Sequence, residues 1–370
     1  MYALRMSALE DWQILLGLFP AEWQQLGRST GAVRRLRGFP SMEALLRTLL
    51  LHVGCGWSLR ETAVHARAAG IADISDVTLL NRLRDAEDWL RQLCQQLWKD
   101  NGVDLQPCLH GRRARLLEAT VVREPGKTGS LWRIHYSLRL PTLECDHFEL
   151  TPTEGAGRGE KLGRFRFRAG ELVLADAGYC HAAGIAAVAA QGADVCVRLN
   201  PHALPLWDER GRRFPLLLAC LTELQRAGEV AAWPVWVHSG EQRVAGRLCG
   251  IRKSREAIER AQRRGKALGP EAQQFADYVL VFTTLPASDA TAQQVLECYR
   301  LRWQVELTFK RLKSIAQLGH VPKHDEQSSR AWLYGKLFVA LVSQKLARLG
   351  STISPWGYYL PEPAHPQPVA

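Results

Sequence analysis

Apolar side chains recur every third or fourth residue through the first hundred positions and then, from about Arg115, fall into short alternating runs. Residues 1 to about 105 therefore read as all helix. Ser41 can cap a helix whose apolar positions include Leu45, Leu46, Leu49 and Leu50. Ser58 followed three residues later by Glu61 is a capping box opening Leu59 to Ala69, and Gly70 is placed to end that helix. A further start at Ser75 leads into Val77 to Arg84, with Leu79, Leu83, Leu90 and Leu93 at helical spacing.

Beyond Arg115 the pattern predicts strands. Leu116 to Val122 is one, and Trp132 to Leu140 alternates apolar with polar residues and reads as half-buried, with Cys145 to Leu150 able to pair with it. Glu171 to Ala175 is a short, wholly apolar-centred strand, followed by a helix around His181 to Gln191 and a strand at Val195 to Leu199. Strands alternating with helices suggest an α/β sheet. Asn200 to about Ala287 interrupts this order as a β-rich insertion, with strands at Ala232 to Val237, Arg247 to Ile251 and Tyr278 to Thr283 and a basic helix from Ser254 to about Lys266. A closing helix is expected from Thr291 to about Leu318. After Ser354, five prolines in the last sixteen residues predict a tail that does not fold.

Composition narrows the partners. The chain has 370 residues, 46% hydrophobic, enough for two or three domains with a proper core. Lys plus Arg exceed Asp plus Glu by 48 − 37, giving +11, with a pI near 9.4. A globular chain this basic usually binds a polyanion, most often nucleic acid. The charge is spread over Arg34 to Arg37, Arg112 to Arg115, Arg252 to Arg255, Arg263 to Lys266 and Lys310 to Lys313. In that light the helices on either side of Gly70 to Ser75 resemble a helix-turn-helix offering Thr78, Asn81, Arg82 and Arg84 to DNA, although any small helical bundle has this spacing. The basic helix near Ser254 fits either a DNA-backbone contact or a solvated face. The nine cysteines form no CxxC and no zinc-ligand cluster, as expected of buried thiols in a reducing compartment. No apolar run approaches a membrane span and no signal peptide opens the chain, so a soluble intracellular protein is expected.

Three acidic residues stand out. Tyr299, Arg302, Glu306 and Lys313 lie at offsets 0, 3, 7 and 14; on one continuous helix they fall within roughly 60° of one another. That stripe suits a metal ion beside a phosphodiester, though Arg302 and Glu306 also have the spacing of an ordinary surface ion pair. Asp176 ends the buried strand Leu172 to Ala175, where ligands of α/β sheets gather; alternatively it caps the turn that follows. Glu118 sits in an apolar strand, where a metal would explain it and so would a salt bridge to Arg112, Arg113 or Arg115. Acids converging from separate elements can hold two divalent ions about 3.5–4 Å apart, the arrangement that activates one oxygen and stabilises another in phosphoryl transfer.

With these residues the chain resembles the DDE transposases of bacterial insertion sequences, in the branch marked by Tyr-(2)-Arg-(3)-Glu-(6)-Lys, the fourth insertion-sequence family. The match is at Tyr299, Arg302, Glu306 and Lys313, supported by Pro125 to Leu140 and by Asp176-Ala-Gly-Tyr179, and the resemblance covers roughly residues 20 to 355. It implies an α/β, ribonuclease-H-like catalytic domain (about 106–345) with a β-rich insertion at about 200–287, an all-α, helix-turn-helix-like DNA-binding domain before it (1–105) and the disordered tail after it (354–370). It also implies magnesium, as two ions for which manganese can substitute. The implied substrates are terminal inverted repeats and target DNA, cleaved and joined by a homodimer in the bacterial cytoplasm at the nucleoid, with no membrane partner. Carried over, Glu118, Asp176 and Glu306 become the catalytic metal ligands, while Tyr299, Arg302 and Lys313 hold phosphates at the transposon end.

One departure matters. Where the family has its first Asp, the chain reads Glu118-Ala-Thr120. The extra methylene moves the carboxylate by more than about 1 Å, a displacement that can cost on the order of a hundredfold in rate. The proline-rich tail, where relatives tend to continue, fits a decaying element, so activity of this copy stays open. A DNA-binding protein whose metal site has decayed, and a host nuclease or resolvase-like enzyme, are the competing expectations. A glycosidase is disfavoured by the net charge and by the Arg and Lys beside Glu306.

Overall fold

The computed structural model describes residues 12–100, 111–124, 131–140, 144–155, 159–264, 275–303, 307, 321–322 and 325–351. The chain divides into two compact units, one of Met1–Val103, Val121–Trp132 and Lys310–Ala370, the other of Asp104–Thr120 and Arg133–Phe309.

The first unit is built from helices α1 (Trp23–Ser29), α2 (Met42–Cys55), α3 (Leu59–Ala68), α4 (Asp76–Asp85), α5 (Glu87–Asp100) and α10 (Glu326–Ser351). The starts of α2, α3 and α4 follow from side chains that satisfy a free amide. Ser41 Oγ accepts from the Ala44 amide at 3.0 Å. Ser58 and Glu61 form the reciprocal capping box, and Ser75 Oγ accepts from the Thr78 amide at 3.2 Å. Leu45, Leu46, Leu49, Leu79, Leu83, Leu90 and Leu93 are buried, as their spacing predicts. α10 packs on α5 and α2. Arg84, expected to face outward, is instead held by Asp325 at 3.0 Å and by Asn81 Oδ1 at 3.3 Å. The pairing fixes the start of α10 against α4, where Asp325 also accepts from the Ser328 amide.

The second unit carries the sheet. Strands β1 (Arg113–Arg123), β2 (Leu131–Arg139), β3 (Glu144–Pro152), β4 (Glu171–Ala175), β5 (Asp194–Arg198), β6 (Val230–Ser239), β7 (Gln242–Arg252) and β8 (Tyr278–Thr283) lie in the order β3-β2-β1-β4-β5-β8-β7-β6. β1, β4 and β5 are mutually parallel, and β8 turns antiparallel on β5 and on β7. Every residue of β4 is buried, the pattern of a parallel strand covered on both faces. The helices α6 (Ala182–Ala190), α7 (Leu216–Glu223), α8 (Arg255–Arg264) and α9 (Ala292–Arg300) and the 3₁₀ turns Leu162–Arg164 and Ala177–Tyr179 belong to the same unit. The strands expected as an insertion do not form a sheet of their own: β8 joins β5 on one side and β7 on the other, so β7 and β6 extend the same sheet. Pro234 lies on the edge strand β6, where a missing amide is tolerated.

The closing helix is shorter than its pattern predicts. α9 opens on a Thr291–Gln294 capping box and ends at Arg300. The amides of Leu301 and Arg302 then bond to the carbonyls of Cys298 and Tyr299, each at 3.0 Å and three residues back, which tightens the last turn. Residues 301–302 form a turn, and Trp303 and Leu307 are helical again. Glu306, Lys313 and the proline-rich tail lie outside the described residues.

Candidate active site

Strand register brings the first two acids together. Leu116 on β1 is the partner of Leu174 on the parallel strand β4. Glu118 stands two residues further along β1, and Asp176 stands one residue past the end of β4, as the N-cap of the turn that follows. Asp176 thus lies at the carboxyl end of a buried parallel strand, where ligands of α/β sheets gather.

Asp176 occupies the N-cap position of a single 3₁₀ turn, Ala177–Tyr179, but its side chain makes no capping hydrogen bond. Its carboxylate is therefore not there to cap the turn. Glu118 has a different partner from those its sequence neighbours suggest. Arg112 pairs with Asp194 at 2.7 Å and Asp289 at 3.0 Å. Arg113 donates to the Ala169 carbonyl. Arg115, buried, joins Asp146 at 3.1 Å and Glu171 at 3.3 Å. Glu118 Oε2 accepts from Arg302 Nη1 at 2.7 Å, with the two side chains only 16% and 13% exposed, and Oε1 accepts from the Ala119 amide at 3.2 Å. Arg302 also lies over the Tyr299 ring, 5.8 Å from its centroid. The fold thus gathers Glu118, Asp176, Arg302 and Tyr299 from three separate stretches of chain.

Two phenols complete the lining. Tyr299 is 9% exposed and its hydroxyl has no hydrogen-bond partner among the described residues. Burial pushes the phenol up, Arg302 opposes this, and the nearby charge of Asp176 adds to it. Tyr179 is fully buried and its hydroxyl is likewise without a partner there; burial raises it first, then Glu160 and Glu118. Glu160 escapes sequence reading. It lies in a Gly- and charge-rich stretch without periodicity, and the sole trace of it is Gly178, where a Cβ would collide with its carboxylate. Burial raises the Glu160 carboxyl, with Arg133 lowering it, Asp176 raising it and His181 lowering it.

A hard divalent cation fits the chemistry of this donor set, which is carboxylate and hydroxyl oxygen throughout, with two buried hydroxyls lacking a partner. Among the described residues no group of three or more His, Cys, Asp or Glu is arranged to hold a metal. A Glu118–Asp176 pair therefore needs a further ligand, and Glu306 falls outside that description. No helix among the described residues is long and apolar enough to cross a membrane. Described cysteines are free thiols, Cys55 exposed and the others buried.

Comparison with known proteins supplies the family. Residues 159–342 match the family model described as a transposase DDE domain. Transposase InsL of insertion sequence element IS186A, from Escherichia coli K12, is 32% identical over 349 residues, covering 90% of this chain and 93% of the relative. The transposase of element IS421, from Escherichia coli, is 31% identical over 350 residues with the same coverage. That of element IS231B, from Bacillus thuringiensis, is 20% identical over 372 residues.

Proposed function

We propose, from the premise that this chain belongs to the DDE transposase family of insertion sequences, that Glu118, Asp176 and Glu306 are the acids with which it cuts and joins DNA. The chain is a DNA transposase, a DNA-cleaving and strand-transferring enzyme whose family works with divalent metal ions. The observation that carries the assignment is the gathering of Glu118, Arg302 and Tyr299 beside Asp176, with Asp176 free of the capping role.

In this reading Glu118, Asp176 and Glu306 hold two magnesium ions, for which manganese substitutes. When bound, such ions activate the attacking oxygen and stabilise the leaving one in an in-line displacement. Arg302 orients Glu118 and neutralises part of the site's negative charge before DNA arrives. Tyr299, buried under Arg302, offers its hydroxyl to a phosphate oxygen beside Asp176, and Lys313 adds a fixed charge on the same DNA. Substrates are the element's terminal inverted repeats and a target duplex, brought together by a homodimer at the nucleoid of a bacterial cytoplasm. Thr78, Asn81 and Arg82 on α4 are the DNA contacts of the helical N-terminal part, a ribonuclease-H-like catalytic domain with its insertion following. The four-residue signature assigns the chain to the Tyr-Arg-Glu-Lys branch.

The experiment is magnesium-dependent nicking of a duplex carrying the element's own end. Cutting by the native chain that is lost in Asp176→Ala and in Glu306→Ala supports the assignment; cutting that persists in either variant removes that residue from the site. A second reading, DNA binding without catalysis, is favoured by one observation: the first acid is Glu and is already bonded to Arg302. Restored cutting in Glu118→Asp, with none in the native chain, would establish it.

A further inference from the structure

Glu160 lies between β3 and β4 and has no part in the function described so far. Its carboxylate fills the space that a side chain at Gly178 would need: a Cβ there would stand 1.6 Å from Glu160 Oε2 and 2.7 Å from the carboxyl carbon. Gly178 is two residues past Asp176, inside the turn that Asp176 opens. The turn that presents Asp176 is thus shaped to admit a second carboxylate. Bringing like charges together is unfavourable, and on this side the described positive groups facing Glu160 are Arg133 and His181.

Tyr179 supplies an independent observation. It is fully buried, its hydroxyl has no hydrogen-bond partner among the described residues, and the carboxylates of Glu160 and Glu118 both act on it. A buried hydroxyl left without a partner is destabilising, because it has lost its hydrogen bonds to water. The water shell of a hydrated cation, which magnesium keeps in large part when bound, would give it one.

We propose that Glu160 is a further acidic residue of the divalent-cation site, a positioning residue that acts beside Asp176 through the cation's water shell, with the Tyr179 hydroxyl in the same network. This rests on the reading of Asp176 as a cation ligand. Residues that orient ligands and bound water in this way change metal affinity by about 10–100-fold when altered.

The test is manganese binding by the full chain, followed as loss of the free-ion paramagnetic resonance signal, with metal-free melting temperature as the control for folding. Glu160→Gln is expected to weaken binding by about tenfold or more, Gly178→Ala to do the same by displacing the carboxylate, and Asp176→Asn to weaken it further. Native affinity in Glu160→Gln alongside lost binding in Asp176→Asn overturns the role of Glu160 and leaves the site standing. Native affinity in Asp176→Asn overturns the site itself. Should Glu160→Gln not fold, Glu160→Asp, which keeps the charge on a shorter arm, carries the same test: weakened binding supports the proposal and unchanged binding ends it.

Discussion

At the scale of residues, the proposed site turns on Glu118 and the arginine that holds it. Glu118 and Arg302 are mostly buried and 2.7 Å apart, so removing one takes a close opposite charge from the other in a poorly solvated place, a change that costs up to about 3–5 kcal/mol. Arg302→Ala is therefore expected to lower the urea midpoint in metal-free buffer, and added magnesium should recover part of the loss by giving Glu118 another partner. An Arg302→Ala chain as stable as the native one, with or without magnesium, would contradict this. Glu118→Asp is expected to raise the rate of end cleavage by up to about a hundredfold, because the shorter arm returns the carboxylate by about 1 Å; a rate that falls would mean the site has adapted to Glu118. Much of this was hidden from sequence. Glu118 was legible as an acid needing an explanation, but its partner lies 184 positions away, and no local spacing encodes that. Glu160 was invisible because the glycine that makes room for it belongs to another segment.

Elements were easier to read than contacts, for a physical reason. Strand β4 is buried on every residue and bounded by turn residues, so pattern alone fixes its limits; Ser41, Ser58 and Ser75 likewise announce helix starts through local hydrogen bonds. Ser58→Ala is expected to destabilise the first unit by about 1 kcal/mol, read as a shifted thermal midpoint. The end of α9 was misread because the switch to bonds three residues back at Leu301 and Arg302 leaves no mark in an apolar periodicity. Strands β2 and β3 carry a further expectation. Burial pushes His135 down to about 3, with Arg164, Arg133 and His147 adding to it, and burial pushes His147 down to about 4, with Arg115 adding. Both folded values lie below the ordinary 6.5, so the folded state binds fewer protons than the unfolded one in acid. Their contribution is present above about pH 6.5 and is lost as pH falls towards 4, by at most about 1.4 kcal/mol per pH unit for each histidine. Urea midpoints between pH 7 and 4.5 should fall less steeply in His135→Asn than in the native chain, whereas parallel curves would show that His135 does not titrate with unfolding.

For the whole molecule, the excess of 48 basic over 37 acidic side chains sets how the transposase meets its polyanionic substrate. Affinity for an end-containing duplex should fall steeply with salt, each phosphate contact contributing about 0.9 to the logarithmic slope. Lys313→Ala is expected to reduce that slope by up to one contact and Arg302→Ala by less, since Arg302 is engaged with Glu118 before DNA binds; equal slopes in all three proteins would make both residues bystanders. The central claim, however, is that Glu118, Asp176 and Glu306 meet around the bound divalent cations, and iron-directed cleavage of the polypeptide tests it most directly. Iron(II) substituted for magnesium, with ascorbate and peroxide, should cut the chain near residues 118, 176 and 306 together, and excess magnesium should suppress all three cuts. Cuts at 118 and 176 without one near 306, or a pattern indifferent to magnesium, would contradict the account.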